Sequence, residues 1–229
     1  MVDPFYQRWR RAVYSRTDQV NQSVPEQYGD LYKYYSKQIH QSGKAGYFGF
    51  YRQHIETKKH EKVLDLKDFK QISRPHEAFL DKIKLSDDHD RLCFNVDINN
   101  DERLRLGVLD INKQKPIDWI DNWCQAEFDK SGEYLYYVEA DKLNRPCRII
   151  KRRVGDPNSD KVLHTDDDPT HYLDIGISKD KRYFIFTCGH GSVYVIDREN
   201  NTDHVYTLAE SEPGTRIFAD HIRVNLHVF

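Results

Sequence analysis

The sequence predicts an all-β protein: a partial β-propeller of about three to four four-stranded blades behind a short helical N-terminal leader. Three observations carry that prediction. Between residues 47 and 197 the chain breaks into eleven short runs enriched in β-branched and aromatic residues, at 47–51, 62–66, 79–85, 91–98, 104–111, 123–128, 134–138, 148–154, 172–177, 183–187 and 192–197, parted by turns rich in Asp, Asn, Ser and Gly. One turn frame occurs three times. The 15 Tyr and 11 Phe raise aromatics to 13%, too many for a disordered chain despite 31% charged residues. No strand–helix–strand alternation appears, which excludes a doubly wound α/β domain.

The leader, residues 1–44, is polar and helical in pattern. Tyr6, Trp9 and Val13 fall at i, i+3 and i+7, behind an Asp3-Pro4 cap. Ser23-Val-Pro25-Glu26 starts a second helix whose apolar residues Leu31, Tyr35 and Ile39 fall at i, i+4 and i+8, and Ser42-Gly43 ends it. Residues 45–229 form the propeller part, incomplete at its C-terminal end.

The repeat is the most informative feature. Leu85-Ser-Asp-Asp-His-Asp-Arg-Leu92, Phe128-Asp-Lys-Ser-Gly-Glu-Tyr-Leu135 and Ile177-Ser-Lys-Asp-Lys-Arg-Tyr-Phe184 each hold an apolar residue, six mostly polar ones, and an apolar residue that opens an aromatic run; the copies start 43 and 49 residues apart. Each frame reads as a hairpin reversal. A further strand follows each copy, and a short one precedes each, around Val63-Leu64, Pro116-Ile117 and Val162-Leu163. A period of about 40–50 residues with four strands is the unit of a propeller blade. A β-sandwich with regular turn spacing is the competing reading.

Composition excludes several functions. With 35 Lys+Arg against 37 Asp+Glu the formal charge is −2, which gives no footprint for nucleic acid. No apolar run is long enough to span a membrane, and the N-terminus has no apolar signal segment. Cys93, Cys124, Cys147 and Cys188 form no Cys-x-x-Cys pair and read as buried free thiols of a reducing compartment, so a cytoplasmic location is expected.

The chemistry-bearing clusters read as structure. Asp97-Ile-Asn-Asn-Asp101 starts like a calcium loop but has Glu102 at the glycine position and Val108 at the final ligand position, so a hairpin turn fits better. Cys188-Gly-His190-Gly reads as a tight hairpin loop between strands, Asp166-Asp-Asp-Pro169 as a solvated acidic turn, and Lys151-Arg-Arg153 as a basic strand with too few charges for a nucleic-acid site. Arg8 with Arg10-Arg11 is another short basic cluster, and His54 and His60 lack metal-ligand spacing. No catalytic, cofactor-binding or metal-ligating residue is expected, and no cofactor.

Val63-Leu-Asp-Leu66 with the first frame and Leu109-Asp110, Phe128-Asp-Lys-Ser-Gly-Glu-Tyr-Leu-Tyr-Tyr137 with Arg148-Ile-Ile-Lys-Arg-Arg-Val-Gly-Asp156, and Gly155-Asp-Pro-Asn-Ser-Asp-Lys-Val-Leu163 together resemble the propeller of the prolyl oligopeptidase family of serine peptidases, with oligopeptidase B and prolyl endopeptidase-like proteins nearest. The resemblance covers roughly residues 45–200 and rests on a pattern. It implies a propeller that gates the entry of peptides or small acyl substrates to an α/β-hydrolase domain carrying Ser, Asp and His. No Gly-x-Ser-x-Gly elbow occurs in the sequence, so no catalytic residue carries over and the chain alone is expected to be inactive. The alternative is a stand-alone propeller-type interaction module without enzymatic activity, completing itself by self-association through its open edge.

Overall fold

A computed structural model of the chain describes residues 26–28, 30–41, 44–99, 101, 103–121, 123–188, 192–200, 203–210, 217, 219–222 and 225–228. The chain divides into two compact units, which part between Glu77 and Ala78.

The first unit contains one antiparallel sheet, β1 (Glu26–Tyr28), β2 (Tyr32–Gln41), β3 (Lys44–His54) and β4 (His60–Leu64), in that order. This corrects the sequence reading, which gave residues 23–42 to a helix. Spacings of i, i+4 and i+8 are all even, so they place side chains on one face of a strand as well as on one face of a helix. Aromatic pairing decides between the two. Tyr35 stacks on its cross-strand partner Tyr51 with centroids 5.6 Å apart, and Tyr34 stacks on Phe50 at 5.5 Å. Ile39 packs over Gly49, where a Cβ would meet Ile39 Cδ1 at 2.7 Å. β2 and β3 pair across the expected 44/45 boundary, so Glu26–Tyr28, Tyr32–Gln41 and Lys44 belong to a sheet. The helix expected around Tyr6, Trp9 and Val13 lies outside the described residues. After β4, Asp65 caps a 3₁₀ turn, Leu66–Asp68, and its Oδ1 also accepts the Tyr47 hydroxyl at 2.7 Å.

In the second unit three four-stranded antiparallel meanders follow in sequence. The first blade is β5 (Phe79–Leu85), β6 (Arg91–Asp97), β7 (Arg105–Asp110) and β8 (Lys115–Ile120). The second is β9 (Trp123–Phe128), β10 (Tyr134–Ala140), β11 (Pro146–Arg153) and β12 (Lys161–Thr165). The third is β13 (Leu173–Ile177), β14 (Tyr183–Cys188), β15 (Val193–Asp197) and β16 (Tyr206–Ala209). A hairpin, β17 (Ala219–Ile222) and β18 (Asn225–Val228), comes last. The all-β partial propeller read from the sequence is therefore the observed fold. Pro116-Ile117 and Val162-Leu163 lie in β8 and β12, while β16 carries no run that the sequence reading recognised.

The repeated frame is one hydrogen-bonded reversal built three times. Ser86, Asp129 and Ser178 each donate their N–H to the carbonyl five residues on, at 3.0, 2.9 and 3.0 Å. Their side-chain oxygens accept the N–H of Arg91, Tyr134 and Tyr183 at 2.9, 2.9 and 3.0 Å. A second polar side chain two residues on, from Asp88, Ser131 or Asp180, bonds the first and accepts the next free N–H. The fourth residue of each turn is left-handed: His89 at φ 62°, Gly132 at 72° and Lys181 at 61°. Short Ser and Asp side chains thus satisfy the turn N–H groups that the ladder leaves open, which is why the frame is readable from sequence.

Blades stack through alternating faces. On β10, Leu135 and Tyr137 join Cys93, Leu106, Val108 and Ile120 of the first blade, whereas Tyr136 and Val138 face Leu173, Ile175, Phe184 and Phe186 of the third. Ile185, Val193 and Val195 point the other way and pack with Ile217 and Ala219. Full burial of each such aromatic or branched side chain contributes about 1.5–3 kcal/mol.

Candidate functional site

The innermost strands β5, β9 and β13 approach one another, and charged side chains sit on them. Glu127 of β9 is buried and ion-pairs with Lys84 of β5. Burial pushes its carboxyl above the usual range, and the Lys84 ammonium only partly offsets that.

At the frame end, Arg198 ties all three blades together. Its guanidinium follows β15 and is 1% exposed. It donates to Phe128 O at 3.0 Å and Asp129 O at 3.2 Å in the second blade, to Lys181 O at 3.1 Å in the third, and to Asp87 Oδ2 at 2.8 Å in the first. Lys181 adds a second cation beside Asp87 at 3.3 Å. Burial raises the Asp87 carboxyl, but the Arg198 hydrogen bond and charge, with Lys181, outweigh it and hold it below the usual carboxylate range. Arg91 reaches the Gly132 carbonyl of the next blade in the same way.

Two residues of the basic run 151–153, Lys151 and Arg152, are absorbed here, while Arg153 is exposed. Arg152 makes a bidentate bond to Asp160, 2.6 Å on each arm, and reaches Asp118 of the first blade at 3.3 Å. Lys151 and Lys161 converge on Asp203, at 2.7 and 2.6 Å.

The opposite end is formed by the β6–β7 and β10–β11 loops and by the crossover between β12 and β13. In the 97–101 loop the Asp97 carboxylate accepts the N–H groups of Asn99 and Asp101, and Asp101 pairs with Arg105. The loop is the hairpin turn that the sequence indicated. A polar cleft of about 320 Å³ beside it is lined by Arg103, Glu139, Ala140, Asp141, Lys142, Asn144 and Arg148. The crossover corrects the solvated reading of its acidic turn: Asp166 is buried because its carboxylate meets His171, 3.0 Å from Nδ1, with Cys188 of β14 close by. Sequence reading singled out Asp166 and Cys188 in separate motifs and missed His171, which carries no spacing signal. His190, Gly189 and Gly191 lie outside the described residues, as do Arg8, Arg10, Arg11 and the Cys124 side chain.

His54 and His60 sit on β3 and β4. His60 Nδ1 lies 2.6 Å from the Tyr35 hydroxyl and His54 Nδ1 accepts N–H groups of its own turn. Cys93, Cys147 and Cys188 are buried and none is in a disulfide. Burial pushes the Cys93 and Cys147 thiols up, which makes them poor nucleophiles. No helix of the described residues is long and apolar enough to cross a membrane.

Comparison with known proteins places this architecture. Residues 3–225 match the family model described as prolyl oligopeptidase, N-terminal beta-propeller domain. Protease 2 of Moraxella lacunata is 22% identical over 95% of this chain and 34% of its own length. Oligopeptidase B from Leishmania major superposes with a TM-score of 0.78 at 17% identity, over 98% of this chain and 34% of that one. Oligopeptidase B from Trypanosoma brucei, bound covalently to antipain in a closed form, gives 0.74 at 18% identity, over 96% and 32%. The chain spans about a third of the length of these relatives. With its repeated turn frame, its stacked four-stranded blades and a family match across nearly its whole length, the chain belongs to the prolyl oligopeptidase family, as its N-terminal β-propeller domain.

Proposed function

We propose that this chain works as the non-catalytic filter of a serine oligopeptidase, whose blades pack on an α/β-hydrolase domain and admit only peptides or small acyl substrates. The observation that carries the reading is the locking of the blades. Arg198, Arg152 and Lys84 each join one blade to another through charged hydrogen bonds, so the inner strands form a wall of fixed spacing. A wall that excludes by size needs that rigidity, whereas acyl transfer needs an activated nucleophile and its base. Polar side chains of the frame turns are spent on backbone N–H groups instead. A cytoplasmic location belongs to the same reading, supported by three buried cysteines outside any disulfide.

Two experiments test it. A fluorophosphonate probe leaves the purified chain unlabelled, and covalent labelling of a serine overturns the non-catalytic assignment. Co-expressed with a hydrolase domain of the family, the chain co-purifies with it and slows the cleavage of long peptides relative to short ones. Failure to co-purify, or equal cleavage of both lengths, rejects the filter in favour of a stand-alone interaction module.

A further inference from the structure

We propose that Asp166, His171 and Cys188 form a binding site for Zn²⁺ that clips the crossover between the second and third blades to the end of β14. One ligand atom from each residue lies within 4.8 Å of the other two, and Asp166 and Cys188 are both buried. The set offers one oxygen, one imidazole nitrogen and one sulfur. A thiolate in the set favours zinc over magnesium or calcium, which take oxygen ligands.

The Asp166–His171 pair is close to what a tetrahedral centre needs, and the Cys188 sulfur, within 4.8 Å of both ligand atoms, has to approach to join them. Zn–N and Zn–O bonds of about 2.0–2.2 Å place nitrogen and oxygen about 3.3–3.6 Å apart. His171 Nδ1 stands 3.0 Å from Asp166 Oδ2, so the pair needs to open by only a few tenths of an ångström. The other Asp166 oxygen accepts the Asp168 N–H at 3.0 Å, which fixes the carboxylate for single-oxygen ligation. A water completes the coordination.

The supporting groups are also in place. His171 Nε2 faces Asp168 Oδ2 at 3.7 Å, the carboxylate that would orient a metal-bound imidazole from behind. Asp168 is itself held by the N–H and hydroxyl of Thr170, at 2.8 and 2.7 Å. Arg145 donates to the carbonyls of Asp166 and Asp168, at 3.2 and 2.5 Å, and is anchored by Asp141 at 3.1 Å. Asp166 N–H bonds Cys147 O at 2.8 Å. The crossover is thus pinned in the shape that presents its two ligands, independently of any metal. Binding displaces the thiol proton of Cys188, so affinity falls as pH falls.

The test uses the tag-free, chelator-stripped chain. Zn²⁺ titrated against a chromophoric chelator should saturate at one ion per chain and raise the melting temperature. Co²⁺ in its place should give a thiolate-to-cobalt charge-transfer band in the near ultraviolet. Cys188→Ser removes that band and His171→Gln weakens binding at least tenfold, while Cys147→Ser leaves both unchanged. Asp168→Asn weakens binding about 10–100-fold without removing the band, as loss of an orienting partner does. The Co²⁺ spectrum of the unaltered chain decides the matter even if a variant fails to fold. No charge-transfer band, no saturation at one ion, or a band that survives Cys188→Ser overturns the site and leaves a hydrogen-bonded Asp–His pair.

Discussion

Replacing Arg198 by Met keeps most of the side-chain volume and removes a guanidinium that touches all three blades. The cost can be worked from its contacts. The guanidinium is 1% exposed and makes one ion pair and three bonds to carbonyls. Removing one partner of a buried pair costs about 3–5 kcal/mol. Two facts pull the value to the low end: Asp87 is 29% exposed and keeps Lys181, and Asp129 O keeps the Gly132 N–H at 3.2 Å. We expect a loss of about 3 kcal/mol, at most two orphaned carbonyls plus the weakened Asp87. For a chain of this length that lowers the melting temperature by roughly 6–12 °C. Calorimetry or urea unfolding measures it, with Asp87→Ala and the double variant closing a cycle whose coupling is about 1–2 kcal/mol. The sign of the pH effect is fixed as well. The Asp87 carboxyl titrates lower when folded, so its contribution is present above the unfolded value near 4 and is lost as pH falls through the folded one. The gap between variant and parent should therefore narrow below about pH 4. A variant that melts within about 2 °C of the parent at neutral pH, or a coupling near zero, refutes the claim that Arg198 fixes the blades.

Two further outcomes test the inner strands and the frame. Lys84→Met leaves the buried Glu127 carboxylate without its Lys84 partner and costs about 2 kcal/mol at pH 7, a cost that shrinks as the pH falls because burial already favours the protonated carboxyl; Lys84→Met with Glu127→Gln recovers most of the loss in urea midpoints. An unchanged midpoint for Lys84→Met at pH 7 refutes the pairing. Gly132→Ala puts a side chain at φ 72° with its Cβ 3.2 Å from Ser86 Cβ and costs about 1–2 kcal/mol, whereas His89→Gly, at the same turn position, stabilises by less than about 1 kcal/mol. A Gly132→Ala that does not destabilise, or a His89→Gly that clearly does, contradicts a shared left-handed turn position.

What could be read in the sequence follows from what is local. The frame is legible because a Ser or Asp side chain bonds the N–H five residues on, within one turn, and the phase of β6, β10 and β14 comes with it. β2 was misread because even spacings satisfy both periodicities, and the deciding contacts of Tyr34 and Tyr35 lie on β3. β16, of four residues with exposed Tyr206, carries too little apolar alternation to announce itself. Arg198 was invisible for a different reason: its partner Asp87 lies 111 residues away. His171 likewise acquires meaning only when the crossover folds against β14, 17 residues further on.

This division has a physical consequence for the filter proposed above. The apolar faces supply most of the attraction between blades, since Phe184 and Phe186 are fully buried against Tyr136 and Val138. Hydrophobic attraction is non-directional, so it brings sheets together without fixing the angle between them. Charged hydrogen bonds are directional and are placed where small rotations would break them: Arg198 at the frame end, Arg152 between first and second blades, Lys84 on the inner strands. A pore whose width excludes large substrates depends on those angles more than on total stability. Loss of a stacked phenylalanine would weaken the blades while leaving their spacing set by the charged ties. Loss of a tie would leave the blades folded and let their spacing drift, and selectivity would fail before the fold does.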